Sequence, residues 1–133
     1  MKTFPLIAAV VLMAASGLAL HVAQAQQPMT RRVDLQRHDL STPGREVLQS
    51  RVEFPPGVAF PRHRHPGEEV IYVLQGEIEY QVEDGPPVTL RVGDVLFVPD
   101  GAIHSARNVG KGPAAELATF LVKKGEPLAQ IVD

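Results

Sequence analysis

The chain has 133 residues, of which 44% are hydrophobic and 21% charged, with no cysteine and a formal charge of −2 at pH 7. Disulfides and a cysteine-linked lipid anchor are excluded, and the lack of a clustered basic face argues against nucleic acid as a partner. The length fits a single domain.

Residues 1–25 read as an export signal. Lys2 gives a short positive start, residues 6–15 are an unbroken apolar run, and Ala23-Gln24-Ala25 presents small residues where a signal peptidase cuts. An uncleaved anchor over residues 4–25 is the competing reading, since that stretch is just long enough to span a bilayer. His21, Gln24 and the A-x-A ending favour cleavage before Gln26, export by a Sec-type route to the periplasm or beyond, and no stable membrane insertion afterwards. Cleavage would leave 133 − 25 = 108 residues. At that size a bound metal or a homodimer interface would add useful stability.

Residues 26–44 are polar and aperiodic, an N-terminal arm or edge strand that ends at the Pro43-Gly44 turn. Residues 45–124 then alternate short apolar or alternating runs with Gly/Pro turn clusters, the rhythm of an all-β sandwich or barrel. Strands are predicted at 46–54, 69–74, 77–83, 88–91, 95–98, 104–108 and 115–122, with no helix, and residues 125–133 form a tail. In 77–83, Ile78, Tyr80 and Val82 share one face and polar groups the other. The 69–74 run has almost no polar interruption, which predicts a strand covered on both sides.

Histidines stand at 38, 63, 65 and 104 of the mature chain. On an extended strand, His63 and His65 would project from one face about 6–7 Å apart, close enough to converge on one ion. Glu69 opens the apolar run that follows, where a carboxylate needs a cation, a proton or a metal. Glu68 competes with it on composition, and His38 reads as a surface residue.

Gly57, His63, His65, Glu69 and Gly76 stand in the spacing G-x5-H-x-H-x3-E-x6-G, and Gly93, Pro99, Gly101, His104 and Asn108 in G-x5-P-x-G-x2-H-x3-N. On these ten positions, with 16 residues between Gly76 and Gly93, the sequence resembles the cupin superfamily, in particular its small quercetin-dioxygenase-like members. The resemblance selects Glu69 over Glu68 and His104 over His38. It implies a single-domain double-stranded β-helix (a jelly-roll-like barrel), often a homodimer, holding one divalent ion of Mn, Fe, Ni, Cu, Co or Zn on His63, His65, Glu69 and His104. Asn108 and the motif glycines would be structural.

Three neutral imidazoles and a carboxylate leave open positions on an octahedral ion. The resemblance therefore implies a metal-dependent enzyme acting on a small organic molecule, dioxygenase-like or a Lewis-acid isomerase or lyase. The alternatives are a non-catalytic module that binds a small molecule or metal, and a metal that only props up the barrel. No catalytic residue beyond the ligands is assigned. Phe60, Ile71, Val73, Tyr80, Phe97, Ile103 and Phe120 are candidate pocket residues, each equally at home in a core. Arg51 and Arg107 would meet an anionic substrate if they point inward.

Overall fold

In the computed structural model, residues 29–133 are described, and the export signal assigned to residues 1–25 lies outside them. Period-two alternation of apolar residues, cut by turns, produces ten strands. They are β1 (Arg31–Asp39), β2 (Arg45–Phe54), β3 (Ala59–Arg64), β4 (Gly67–Gln75), β5 (Glu77–Val82), β6 (Val88–Arg91), β7 (Val95–Val98), β8 (His104–Asn108), β9 (Ala114–Lys123) and β10 (Gln130–Ile131). They form two five-stranded sheets, in the orders β1-β2-β9-β4-β7 and β10-β3-β8-β5-β6. Every pairing is antiparallel. The chain is thus all-β, a double-stranded β-helix.

The inner faces of the two sheets supply the core. Phe54, Ile71, Val73, Ile78, Tyr80 and Val98 pack as one cluster, and Leu48, Ala118, Phe120 and Val122 as a second. Ile71, Val73 and Ile78 are completely buried, each stabilising the fold by about 1.5–3 kcal/mol relative to exposure. Gly76 carries the chain from β4 in one sheet to β5 in the other. Its φ is +71°, and a Cβ there would lie 2.7 Å from the Pro113 carbonyl oxygen, so the crossing needs glycine. Asn108 is buried and donates to the carbonyls of Phe54 and Gly112 while accepting from the Gly110 amide. It ties the β8–β9 turn to the end of β2.

Two sequence expectations need correction. The run from Glu69 to Leu74 is not covered on both sides: Glu69, Ile71 and Val73 point inward, while Val70, Tyr72 and Leu74 are 40%, 46% and 37% exposed. An apolar residue on the outward phase looks the same in sequence as one facing a second layer. The second correction is β3, absent from the predicted strands because only Phe60 and His63 of its six residues are shielded and Pro61 cannot donate to a ladder. Its register against β8 shifts between Phe60 and His63. That irregularity precedes the first histidine of the site.

Candidate metal centre

The four sequence-predicted residues converge between the sheets. His63 at the end of β3 and His104 at the start of β8 are direct cross-strand partners, with ring centroids 4.1 Å apart. His65 lies just past the end of β3, not within a strand as its spacing suggested, and Glu69 reaches across from β4 of the opposing sheet. All four are buried, at 2–6% exposure. One nitrogen from each histidine can be chosen so that the three lie within 4.8 Å of one another.

The hydrogen bonds around the rings decide what this cluster can hold. Each imidazole places Nδ1 against a backbone carbonyl: His63 on Pro61 at 2.8 Å, His65 on Leu128 at 2.6 Å and His104 on Ala102 at 3.0 Å. A carbonyl only accepts, so Nδ1 carries the proton and each neutral ring turns a bare Nε2 lone pair inward. Glu69 Oε2 sits 3.0 Å from His104 Nε2 and 3.2 Å from His65 Nε2. Two neutral rings would there oppose lone pairs to a carboxylate, an arrangement that requires positive charge between them. Protons on Nε2 would supply it, and so would a divalent metal. His65 Nε2 is buried and makes no hydrogen bond at all. Ligand atoms about 2.1 Å from one ion and at right angles stand about 3.0 Å apart, so the spacing of Glu69 from the two histidines fits a shared ion.

The electrostatics agree. Burial, reinforced by His104, holds the His63 imidazole down at about 4, so it is neutral and ready to coordinate at neutral pH. Burial pushes Glu69 upward, but its contacts with His104 and His65 more than reverse this and bring it to about 2. Glu68, by contrast, lies part-exposed, 3.6 Å from Arg45. His38 is exposed on β1.

Beside the cluster is a cavity of about 190 Å³ whose wall includes His63, His65, Glu69, His104, Phe60, Tyr80, Glu116 and Phe120. Of the candidate pocket residues, Phe60, Tyr80 and Phe120 line it. Ile71 and Val73 are core instead, Ile103 does not reach the cavity, and Phe97 is 59% exposed on the outer face. Arg51 and Arg107 point away and pair with Glu53 and Glu79, each at 3.0 Å. Arg32 and Thr30 line the cavity in their place, together with Leu128 and Ala129 from the end of the chain.

Glu116 is the residue that sequence reasoning missed. It is 2% exposed on β9 and accepts a 2.5 Å hydrogen bond from the Tyr80 hydroxyl of the opposing sheet. Burial and the nearby charge of Glu69 push its carboxyl up to about 8, against the bond from Tyr80, which lowers it. Burial and Glu116 likewise raise Tyr80 well above the ordinary phenol range. At neutral pH the pair holds a proton on the cavity wall. The available signal was phase: Glu116 alternates in step with Ala118, Phe120 and Val122, all inward.

The chain is 43% identical over 56 residues to the dimethylsulfoniopropionate lyase DddQ of Ruegeria pomeroyi, covering 42% of this chain and 28% of that protein. It is 37% identical over 79 residues to a germin-like protein of Arabidopsis thaliana (56% of this chain, 36% of that one), and 36% identical over 76 residues to an oxalate-binding protein of Thermotoga maritima (56% and 62%). It therefore spans less than two thirds of each of these relatives. Among solved structures, the DddQ lyase superposes with a TM-score of 0.58 at 31% identity, over 65% of this chain and 43% of that one. An oxalate oxidase in complex with glycolate gives 0.64 at 25% identity, over 81% and 57%. The family model for the cupin domain matches residues 50–122, and the chain belongs to the cupin family.

Proposed function

We propose that this protein is a metal-dependent cupin enzyme that holds one divalent transition-metal ion on His63, His65, His104 and Glu69 and converts a small organic molecule in the adjoining cavity. The observation that carries the reading is the inward set of three Nε2 lone pairs, fixed by three backbone carbonyls, around a carboxylate. The cavity, smaller than the roughly 300–1,000 Å³ that takes drug-sized molecules, suits a small substrate. When bound, the ion would supply Lewis acidity or dioxygen activation. The chain's own residues provide the remainder: Phe60 and Phe120 exclude water, and the Tyr80–Glu116 pair keeps a transferable proton at the wall. A lyase and an oxalate oxidase among the structural neighbours support chemistry at such a site.

The likeness to an oxalate-binding protein favours a second reading, a module that captures a small molecule without converting it. One preparation tests both, together with the proposed export. Protein recovered from its native compartment should begin at Gln26 and carry about one metal ion per chain. A panel of small organic molecules should then give metal-dependent turnover. Ligands that raise the melting temperature but emerge unchanged would favour the binding module, and a metal-free preparation would sink the metal-dependent enzyme.

We also propose a homodimer built on the outer face of β4 and β7. Val70 stands opposite Phe97 and Tyr72 opposite Val95, all outward, with 40–66% exposure. An apolar patch beside a short edge strand is a site for a second copy. Phe97→Asp should convert a dimer into a monomer in light scattering while leaving metal content intact; an unchanged mass would remove this face from consideration.

A further inference from the structure

The face of β1 that carries Arg32 and Asp34 is polar, their side chains 43% and 45% exposed, and it lies beside the mostly apolar inner face of β2. In the β1–β2 register, Arg32 stands opposite Val52 and Asp34 opposite Ser50, and Val52 itself lines the cavity. Thr30 and Arg32 line the same cavity. The Asp34 carboxylate lies 2.9 Å from Arg32 Nε and accepts a 2.9 Å hydrogen bond from the fully buried Ser50 hydroxyl. Arg32 is thus tethered on its Nε side. Its two Nη groups have no protein partner among the described residues, and no other arginine or lysine among those residues lines the cavity.

We propose that Arg32, positioned by Asp34 and Ser50, is the anchor for a carboxylate of the substrate, so that the protein acts on small organic acids. This rests on the metal-site reading, which supplies the second point of attachment. A guanidinium held at Nε offers both Nη groups as a fork, the geometry that matches a carboxylate with two parallel hydrogen bonds. The charges of the cavity fit an acid. A divalent ion outweighs the single charge of Glu69, Glu116 is engaged by Tyr80, and Arg32, its charge balanced by Asp34, still offers its Nη donors to an anion. Charges on an edge strand also discourage wrong pairing, but that role predicts nothing about ligand affinity.

The test is calorimetry on the metal-loaded mature protein at pH 7 with glycolate, malonate and succinate, each set against its neutral amide. At least one acid should bind, with its amide at least about 10-fold weaker. Arg32→Gln should weaken that acid by about 10- to 100-fold without changing metal content, and Arg32→Lys should restore part of the loss. Equal binding by acid and amide, affinity unchanged in Arg32→Gln, or no acid binding by the wild-type protein would each overturn the assignment. Acid binding that needs metal but ignores Arg32 would leave the metal site standing and remove this inference alone. Acid binding that depends on Arg32 in protein unable to hold metal would do the reverse.

Discussion

Replacing His63 and His65 together by alanine should take bound metal from about one ion per chain to none detectable, and any metal-dependent turnover with it. The loss should be complete because two of the three inward lone pairs disappear, and Glu69 is left facing His104 alone. Metal analysis and thermal denaturation with added ion provide the readout; a variant still stabilised by metal would defeat the ligand assignment. His65→Gln, which removes one lone pair and keeps a polar side chain, guards against a double variant that does not fold.

The metal-free protein offers an independent check. His63 has a folded value near 4 against an ordinary value of 6.5, so the unfolded chain binds the extra proton between those limits. Its contribution is present above pH 6.5 and is lost as pH falls toward 4, by at most about 3 kcal/mol. A His63 variant should lack that part of the acid limb. Titration curves that coincide with the wild type would show that the ring is not held neutral.

Glu116→Gln should make the protein more stable at alkaline pH. The carboxyl is raised from 4.5 to about 8 in the folded state, so the native form binds the extra proton and gains from it most fully below pH 4.5. That gain fades as pH climbs through 8, where a charge must be carried between the sheets. Glutamine keeps an acceptor for the Tyr80 hydroxyl and never ionises. Above pH 8 the variant should exceed the wild type by roughly 2–5 kcal/mol, and near pH 4 the two should converge. A wild-type slope retained in the variant would place the proton elsewhere. Metal content should not change, since Glu116 is outside the ligand set, whereas turnover should fall if the pair supplies a proton to substrate.

How much of this was legible beforehand differs residue by residue. His63 and His65 could be paired from strand geometry, although His65 lies past the strand end and is aimed by the Leu128 carbonyl. Glu69 and His104 needed the motif spacing, because nothing local distinguishes Glu69 from Glu68. Glu116 and Arg32 escaped for different reasons. Glu116 shares the inward phase of Ala118, Phe120 and Val122, but a lone carboxylate in a strand reads as solvated, whereas Arg32 lies in a polar, aperiodic segment whose place beside the cavity is set only by tertiary pairing with β2. The outward Val70, Tyr72 and Leu74 misled in the opposite sense. Hydrophobicity reports the wish to be covered, and the cover proposed here is a second chain.

The carbonyl of Leu128 gives the order of assembly a direction. All four proposed ligands are in place once residue 104 has been made, yet the partner that fixes the His65 ring comes 63 residues after it in the chain. The neighbouring strand β10 reaches back to β3, pairing Ile131 with His63. A chain made only as far as residue 104 therefore has the four side chains but not the carbonyl that orients one of them. Disturbing residues 128–131 should therefore change the setting of His65 before it changes the barrel, a separation that neither sheet alone would show.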